Sequence, residues 1–574
     1  MRRIIRRRAG DGADGLPGSL HPLLRRLYAA RGVRSPDELS LELRRLLPVS
    51  SLDGVGAATA LLMDHLQRGS RIVVVGDFDA DGATSTALVV RQLRRLGFAD
   101  VGFRVPDRMR HGYGLSPLLV EEIAPDRPSL LITVDNGVAA LTGVEAARRH
   151  GIDVLVTDHH LPGAELPACA AMVNPNLPDA AFGSRALAGV GVAFYVMAAL
   201  TRRLEELRGA KQPPVTDLLD LVALGTVADL VPLDRNNRIL VSEGLRRMRA
   251  GRAVAGVLAL AEVAGRRAGD LGARDLGFAL APRVNAAGRI DDMAIGIRCL
   301  LSDDADEARR LAAELDRLNG ERRELETRMR EEAQEAVRRV RIEEGRLPAG
   351  LTLFDPGWHA GVVGLVATRI KDRIHRPVAA FAPADGGSLR GSVRSVAGVH
   401  IRDVLEAVDV RHPGLMDRFG GHAMAAGLSL QRGHLDRFET AFAEEVARWL
   451  APADMQGIVD SDGPLAVTEF SLATADVIER GGPWGQAFPE PLFDNEFDVI
   501  EARTVAGRHL KLWLRAATAS PPVESIAFGY FNEAGAAPVA AGDRLRVAYR
   551  LGRTDFGGTP RPELRVEYLE PVAR

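Results

Sequence analysis

Between Arg71 and Gly82 the chain reads RIVVVGDFDADG, and no other stretch restricts its fold so tightly. Ile72–Val75 is a run of branched apolar residues, which predicts a buried strand. Asp77, Asp79 and Asp81 follow at alternate positions with glycines on either side, so the strand has to end in a tight turn. A helix is expected from about Ala83, where GATSTALVVRQL is apolar at helical spacing. Three like charges this close cost folding energy unless something neutralises them. Carboxylate oxygen is the ligand that Mg²⁺ and Mn²⁺ prefer, so a divalent cation is one neutraliser. The blander alternative has Asp81 capping the helix and the other two aspartates solvated. An EF-hand loop is excluded: the stretch opens like one, but the twelfth position, which must be glutamate, is Leu88.

At 574 residues the chain is long enough for three or four domains. Its formal net charge is −2, so no global basic field advertises a nucleic-acid partner, and any such binding has to come from a local patch. Lys211, Lys371 and Lys511 are the only lysines, so arginine-rich helical stretches reflect compositional bias. No Gly-Lys dipeptide occurs, which excludes a Walker-type phosphate loop. Cys169 and Cys299 have no paired spacing, which argues against a disulfide framework or a zinc site and for a reducing compartment. The N-terminus is basic but lacks the apolar core of a signal peptide, and the longest apolar run, Leu187–Leu200, is too short to span a bilayer. A cytoplasmic protein without a membrane partner is expected.

After Arg71 apolar strands alternate with helices. SLLITV (129–134) runs into Asp135-Asn136-Gly137, IDVLV (152–156) into Thr157-Asp158-His159-His160, and Ala171–Val173 into Asn174-Pro175-Asn176. This alternation predicts a doubly wound parallel sheet, in which ligands sit outside the carboxyl ends of the strands. Asp135 alone is good turn chemistry, and His159-His160 alone could be a solvated pair or a pair at a helix start. Three strands that deliver acidic or imidazole groups to one edge make a dinuclear metal site the better reading. Asp229, at the end of the apolar stretch Leu218–Val227, adds a further carboxylate. Two cations about 3.5–4 Å apart need a bridging carboxylate and several terminal ligands, and mixed carboxylate and imidazole favours Mn²⁺, with Mg²⁺ the alternative.

DFDADG, VDNG, TDHH and VADLVPL, in that order, resemble the four motifs of the DHH phosphoesterase superfamily. PDR (106–108) with GYGL (112–115), APRVNAAGR (281–289), WHAGVVGLVA (358–367), GSVRS (391–395) and GGHAMAAG (420–427) narrow the resemblance to the RecJ-type single-strand-specific exonucleases. The resemblance covers roughly residues 50–570. It implies an α/β fold: a parallel-sheet DHH domain, a long connecting helix, a second α/β (DHH-associated) domain and a β-barrel OB-fold. The expected boundaries are a helical lead-in over 1–70, the DHH domain over 71–300, the connector over 301–346, the second domain over 347–452 and the barrel over 455–574. The connector is also read from its apolar stripe, Leu311 to Val340, with a length of about 60 Å.

The resemblance implies that Asp79 and Asp135 hold one metal, and that Asp81, Asp135, His159 and Asp229 hold the other. Asp77 stays open as a ligand or as a neighbour of one. His160 would touch the scissile phosphate and Asp158 would orient the histidines, which makes His160, Asp158 and Asp135 the catalytic group. Arg108, Arg283, Asn285 and Arg289 are expected at the substrate, joined from the second domain by Ser392, Arg394, Gly421 and His422. GSVRS is read as a turn, and a helix starting in GGHAMAAG would point N–H groups at a phosphate. In the barrel, Leu510, Leu512 and Leu514 alternate with Lys511, Trp513 and Arg515, whose charge and stacking suit a nucleic-acid track. The implied activity is 5′→3′ degradation of single-stranded DNA to nucleoside 5′-monophosphates in repair and recombination, by a monomer served by a helicase or a single-strand-binding protein. The alternatives are a phosphodiesterase for short oligonucleotides or cyclic dinucleotides, and an inactive single-strand-binding relative. Some relatives carry a further C-terminal domain, whose partner contacts are then in doubt here.

Overall fold

The computed structural model describes residues 2–7, 15–108, 110–339, 347–450, 457–518, 520–532, 538–554 and 558–572. The chain forms two compact units, Met1–Arg6 with Arg323–Ser461, and Arg7–Arg322 with Asp462–Arg574. Within the expected helical lead-in, Arg2–Arg6 is a strand (β1), with Ile4 buried. Its ladder partner lies some 450 residues on, so nothing local announces it. Residues 8–14 of the lead-in lie outside the described residues. From there to residue 70 the chain is helical in short pieces, Pro22–Ala29, Pro36–Leu39 and Val55–Arg68 among them.

The larger unit is built on five parallel strands: β2 (Ile72–Val75), β3 (Val101–Arg104), β4 (Leu130–Val134), β5 (Asp153–Thr157) and β6 (Ala171–Val173). Their order is β3-β2-β4-β5-β6. β2 is buried on both faces, with Ile72 and Val74 in one apolar cluster and Val73 and Val75 in the other. Each such side chain stabilises by about 1.5–3 kcal/mol relative to exposure, which offsets part of the cost of crowding charge at the strand's end. Strand order reverses between β2 and β4, and at such a switch point the two following loops part and leave a crevice. The sequences that follow β2 and β4 are GDFDADG and DNG.

The helix after β2 spans Ala80–Arg95, three residues earlier than expected. Asp79, not Asp81, is its cap: its Oδ1 accepts from the Gly82 N–H at 2.9 Å. The long helix covers Ala305–Arg339, about 52 Å. Leu311, Leu315 and Leu318 are buried in the larger unit, Ala333 and Ala336 in the smaller, and Leu325 between them is exposed. Val340 and the rest of the expected connector to 346 lie outside the described residues.

In the smaller unit β7 (Leu351–Phe354), β8 (Val378–Pro383), β9 (Ser388–Arg394), β10 (Arg418–Gly421) and β11 (Ala425–Gln431) form one mixed sheet, ordered β10-β11-β9-β8-β7. Two expectations are corrected here. GSVRS is not a turn, because Gly391–Arg394 is strand. GGHAMAAG does not start a helix; it is the β10–β11 hairpin, closed by the His422 N–H donating to the Ala425 carbonyl at 2.8 Å. Its small residues suit a sheet because Ala426 and Leu428 face the core while Gly427 faces out, an alternation of period two. β12 (Gly457–Ser461) pairs in parallel with β1.

The last strands, β13 (Phe493–Val505), β14 (His509–Arg515), β15 (Val523–Ala527), β16 (Arg544–Thr554) and β17 (Arg561–Pro571), close into a barrel ordered β13-β14-β15-β17-β16. Leu510, Leu512 and Leu514 fill its interior. The barrel is fixed within the larger unit by the PWGQAF stretch. Trp484 stacks on Phe488 at 5.2 Å and lies 6.0 Å from Tyr28, and the Arg238 guanidinium sits 4.2 Å over Phe488. Arg31 pairs with Asp462 at 2.9 Å, and the Leu233 N–H donates to the Gln486 carbonyl at 2.7 Å. Among the described residues no single helix is long and apolar enough to cross a membrane.

Candidate metal centre

The loops at the switch point bring Asp77, Asp79, Asp81 and Asp135 together, and His159, His160 and Asp229 join them. Three overlapping sets have ligand atoms within 4.8 Å of one another: Asp77, Asp79 and Asp135; Asp135, His159 and His160; and Asp81, His159 and Asp229. Asp135 and His159 each belong to two of them, and of the two only the carboxylate, with its two oxygens, suits a bridging position. His159 Nε2 lies 3.1 Å from Asp135 Oδ1 and 3.5 Å from Asp229 Oδ2.

Each carboxylate is held by a different device. Asp135 ends β4 with φ 62, a left-handed conformation that Asp and Asn tolerate better than most residues. Asp81, in the first turn of its helix, accepts through Oδ2 from the Gly189 N–H at 2.7 Å and through Oδ1 from the Val190 N–H at 3.0 Å. It thus caps the helix Gly189–Arg208 while facing the cluster. Position 189 admits no side chain, since a Cβ there would fall 2.6 Å from Asp135 Cβ. Asp229 caps the C-terminus of Leu219–Ala228, the negative end of that helix dipole, which adds to the need for a positive partner.

The electrostatics point the same way. Burial, then repulsion from Asp79, raises both Asp77 and Asp229 to about 7. Asp81 and Asp135 are pushed well up by burial and then by neighbouring carboxylates, Asp229 for the first and Asp81 for the second. Burial and then the neighbouring His160 lower His159 to about 4, so its ring is neutral, and a hydrogen bond to the Leu187 backbone leaves Nε2 for the cluster. Asp77 Oδ1, Asp135 Oδ1 and His159 Nε2 are buried without a hydrogen-bond partner. Orphaned buried acceptors on oxygen and neutral imidazole fit divalent cations, which would supply what the protein's own donors do not.

Asp158 stands apart. Its Oδ1 accepts from the His159 and His160 amides at 2.7 and 3.1 Å, and its Oδ2 accepts from the Val138 N–H at 2.8 Å. It lies 2.8 Å from His160 Nδ1. Burial alone would raise Asp158 and lower His160, but their mutual contact outweighs it, so Asp158 is lowered and His160 raised. His160 remains partly exposed and open to a ligand.

Several contributors have no signal of their own in the sequence. The Tyr113 hydroxyl donates to the Asp135 carbonyl at 3.1 Å and lies 3.3 Å from the His160 ring nitrogens. Asn174 and Asn176 donate to the His160 and His159 carbonyls at 2.9 and 2.6 Å. The Tyr-containing GYGL and the Asn-Pro-Asn after β6 were the only hints.

The residues expected at the substrate lie in different surroundings. Arg108 is exposed, 5.1 Å over the Phe78 ring, and Arg289 is exposed at the end of the helix Ala281–Ile290. Asn285 is engaged with the aspartate loop, accepting from the Ala80 N–H at 2.7 Å. Arg283 is buried, donating to the Ala279 carbonyl at 2.6 Å and pairing with Asp316 at 2.9 Å, which ties its helix to the long helix. In the smaller unit Arg394 donates to Ser392 Oγ at 2.7 Å, while Gly421 ends β10 and His422 is exposed in the hairpin turn. On the barrel, Lys511 and Arg503 lie 5.4 and 5.0 Å from the Trp513 ring, Lys511 also pairs with Glu524, and Arg515 is half-buried.

Fold and site together define a DHH-type protein. Residues 71–226 match the DHH family, N-terminal domain, residues 348–450 the DHHA1 domain, and residues 461–568 the RecJ OB domain. The chain is 51% identical to the single-stranded-DNA-specific exonuclease RecJ of Dickeya dadantii (strain 3937) and 49% identical to that of Escherichia coli (strain K12), in each case over 99% of both chains. A crystal structure of RecJ in complex with Mn²⁺ from Thermus thermophilus superposes with a TM-score of 0.75 at 31% identity, covering 100% of this chain and 80% of that one. The chain belongs to the RecJ family of single-stranded-DNA-specific exonucleases.

Proposed function

We propose that this protein is a metal-dependent 5′→3′ exonuclease that degrades single-stranded DNA to nucleoside 5′-monophosphates. The observation that carries the reading is the carboxylate and imidazole cluster at the switch point, with three buried acceptor atoms lacking any donor, in a chain of the RecJ family. Two cations fit it, Mn²⁺ in preference to Mg²⁺. Asp79 and Asp135 would hold one, with Asp77 in the same set; Asp81, Asp135, His159 and Asp229 would hold the other. When bound, the cations lower the pKa of an attacking water and stabilise charge on the leaving oxygen.

The protein's own residues do the rest. The backbone amides on Asp81 fix its orientation before any cation arrives, so little reorganisation accompanies binding. His159, neutral, offers Nε2 without first losing a proton. His160, whose protonated form is favoured by Asp158, would donate to a non-bridging oxygen of the scissile phosphate, and Tyr113 limits the swing of its ring. The residues assigned to the strand are Arg108 and Arg289 in the larger unit, Ser392, Arg394, Gly421 and His422 in the smaller, and Lys511, Trp513 and Arg515 on the barrel. In this reading the enzyme works as a cytoplasmic monomer on strands opened by a helicase or carried by a single-strand-binding protein.

A long single-stranded DNA labelled at either end tests this in Mn²⁺. Immediate release of a 5′-labelled mononucleotide, with gradual shortening of the 3′-labelled strand, is expected. Cleavage confined to dinucleotides or cyclic dinucleotides would replace the reading with a small-substrate phosphodiesterase. Strand binding without any cleavage would replace it with a binding protein.

A further inference from the structure

We propose that the uncovered half of the sheet in the smaller unit is a track for the backbone of a single nucleic-acid strand, with Arg390 and Arg418 as its phosphate ligands. This rests on the exonuclease reading and adds residues to it.

One face of the sheet is packed by Ile401–Arg411 and Leu435–Trp449. On the other face the helix Ala360–Ile374 packs on Val378, Ala380 and Ala382 of β8. The outward positions of β9, β11 and β10 on that side carry only polar residues, Ala425 and glycine. Across the three strands Arg418, Ser429 and Arg390 stand side by side, and Gly420, Gly427 and Ser392 form the next row. A cavity of about 450 Å³ lies over the first row and Gly427, while Ser392, at the end of the second row, lies against Gly364 of the covering helix. Arg390 and Arg418 are exposed, and no acidic residue occupies an outward position of these described strands. Asp417, at the near end of β10, accepts from Gln431 Nε2 at 3.1 Å.

The glycines are not there for packing. A Cβ at Gly420 would meet nothing within 4 Å, and one at Gly427 only the Gly391 carbonyl at 3.9 Å, and neither residue has a positive φ. Glycine inside a strand weakens the sheet, so two of them where the fold has room for side chains mark a close approach by something else. The positive charge selects a polyanion, and guanidinium is the group that binds phosphate in a bidentate way. Arg390 lies about 13 Å along β9 from Arg394, and about 10 Å across two strands from Arg418. A single phosphate needs one such anchor. Three anchors spread over this distance suit a polymer whose sugars and bases lie flat across the bare rows.

The test uses the full chain with Arg390→Ala/Arg418→Ala and, separately, Gly427→Thr, assayed in Mn²⁺ on a long single-stranded DNA and on a dinucleotide at several salt concentrations. For the double variant a KM at least tenfold higher on the long strand is expected, with a smaller change on the dinucleotide. The slope of log KM against log salt should fall by about 1.4, two phosphate contacts' worth. Gly427→Thr should melt at or above the wild-type temperature and still raise KM on the long strand. Unchanged KM and salt slope, or equal losses on both substrates, would overturn the track. A lower melting temperature with unchanged KM for Gly427→Thr would make the glycine structural and overturn its part. A wild-type protein that leaves the long strand intact fails the exonuclease reading itself, a result distinct from all of these.

Discussion

Asp229→Asn should make the metal-free protein more stable while destroying its activity. The Asp229 carboxyl is raised from 3.8 to about 7 by burial and then by Asp79, so its ionised form is disfavoured in the fold. That shift corresponds to about 4 kcal/mol at most. The sign follows from proton binding: the folded state holds this proton more tightly than the unfolded chain. The contribution of Asp229 to the metal-free protein is therefore present in full below about pH 4 and is lost as pH rises through about 7. Asparagine keeps the shape and removes the charge. In EDTA at pH 8 the variant should melt above wild type by up to about 8 °C, and the gap should close at pH 4. With Mn²⁺ the order should reverse, because a ligand that binds only the folded state stabilises wild type more. Thermal melts at pH 4, 6 and 8, with EDTA or Mn²⁺, make the measurement. A gap between variant and wild type in EDTA that does not widen from pH 4 to 8, or a variant that melts below wild type in EDTA at pH 8, would refute the idea of an uncompensated acidic cluster.

Asp158→Asn leaves a buried donor facing a donor, at a cost of about 1–3 kcal/mol, and removes the group that raises the His160 pKa; the alkaline limb of the pH–rate profile should move to lower pH, and an unmoved limb would count against His160 as a proton-bearing contact. Gly189→Ala puts a methyl against Asp135 and should lower kcat about 100-fold, with Mn²⁺ affinity measured by calorimetry falling in parallel; near-normal turnover would show that Asp135 has room to move. Trp513→Ala should raise KM on long strands about tenfold or more while dinucleotide hydrolysis changes little, since base stacking contributes about 1–3 kcal/mol per base; equal effects on both substrates would remove Trp513 from the strand's path.

The sequence by itself determined the chemistry's raw material and where it falls along the chain. Four branched residues before GDFDADG made β2, and each later strand announced its own polar end, because strand, turn and ligand are consecutive in the chain and their physics is local. Barrel alternation was legible for the same reason. Tertiary structure decided which aspartate caps a helix and which faces the cluster. Asp79 took the cap, and Asp81 was claimed by amides 108 and 109 residues away. It decided that Arg283 is buried against Asp316, that GGHAMAAG is a hairpin, and that the first strand pairs with a segment some 450 residues on. It also decided proton affinity: burial and then the neighbouring His160 push His159 down to about 4, and adjacency to Asp158 pushes His160 up. A residue's type fixes which bonds it can make, but a hydrogen-bond partner, a dielectric and a neighbouring charge belong to whatever packs beside it, and in a long α/β chain most of those neighbours are distant in sequence.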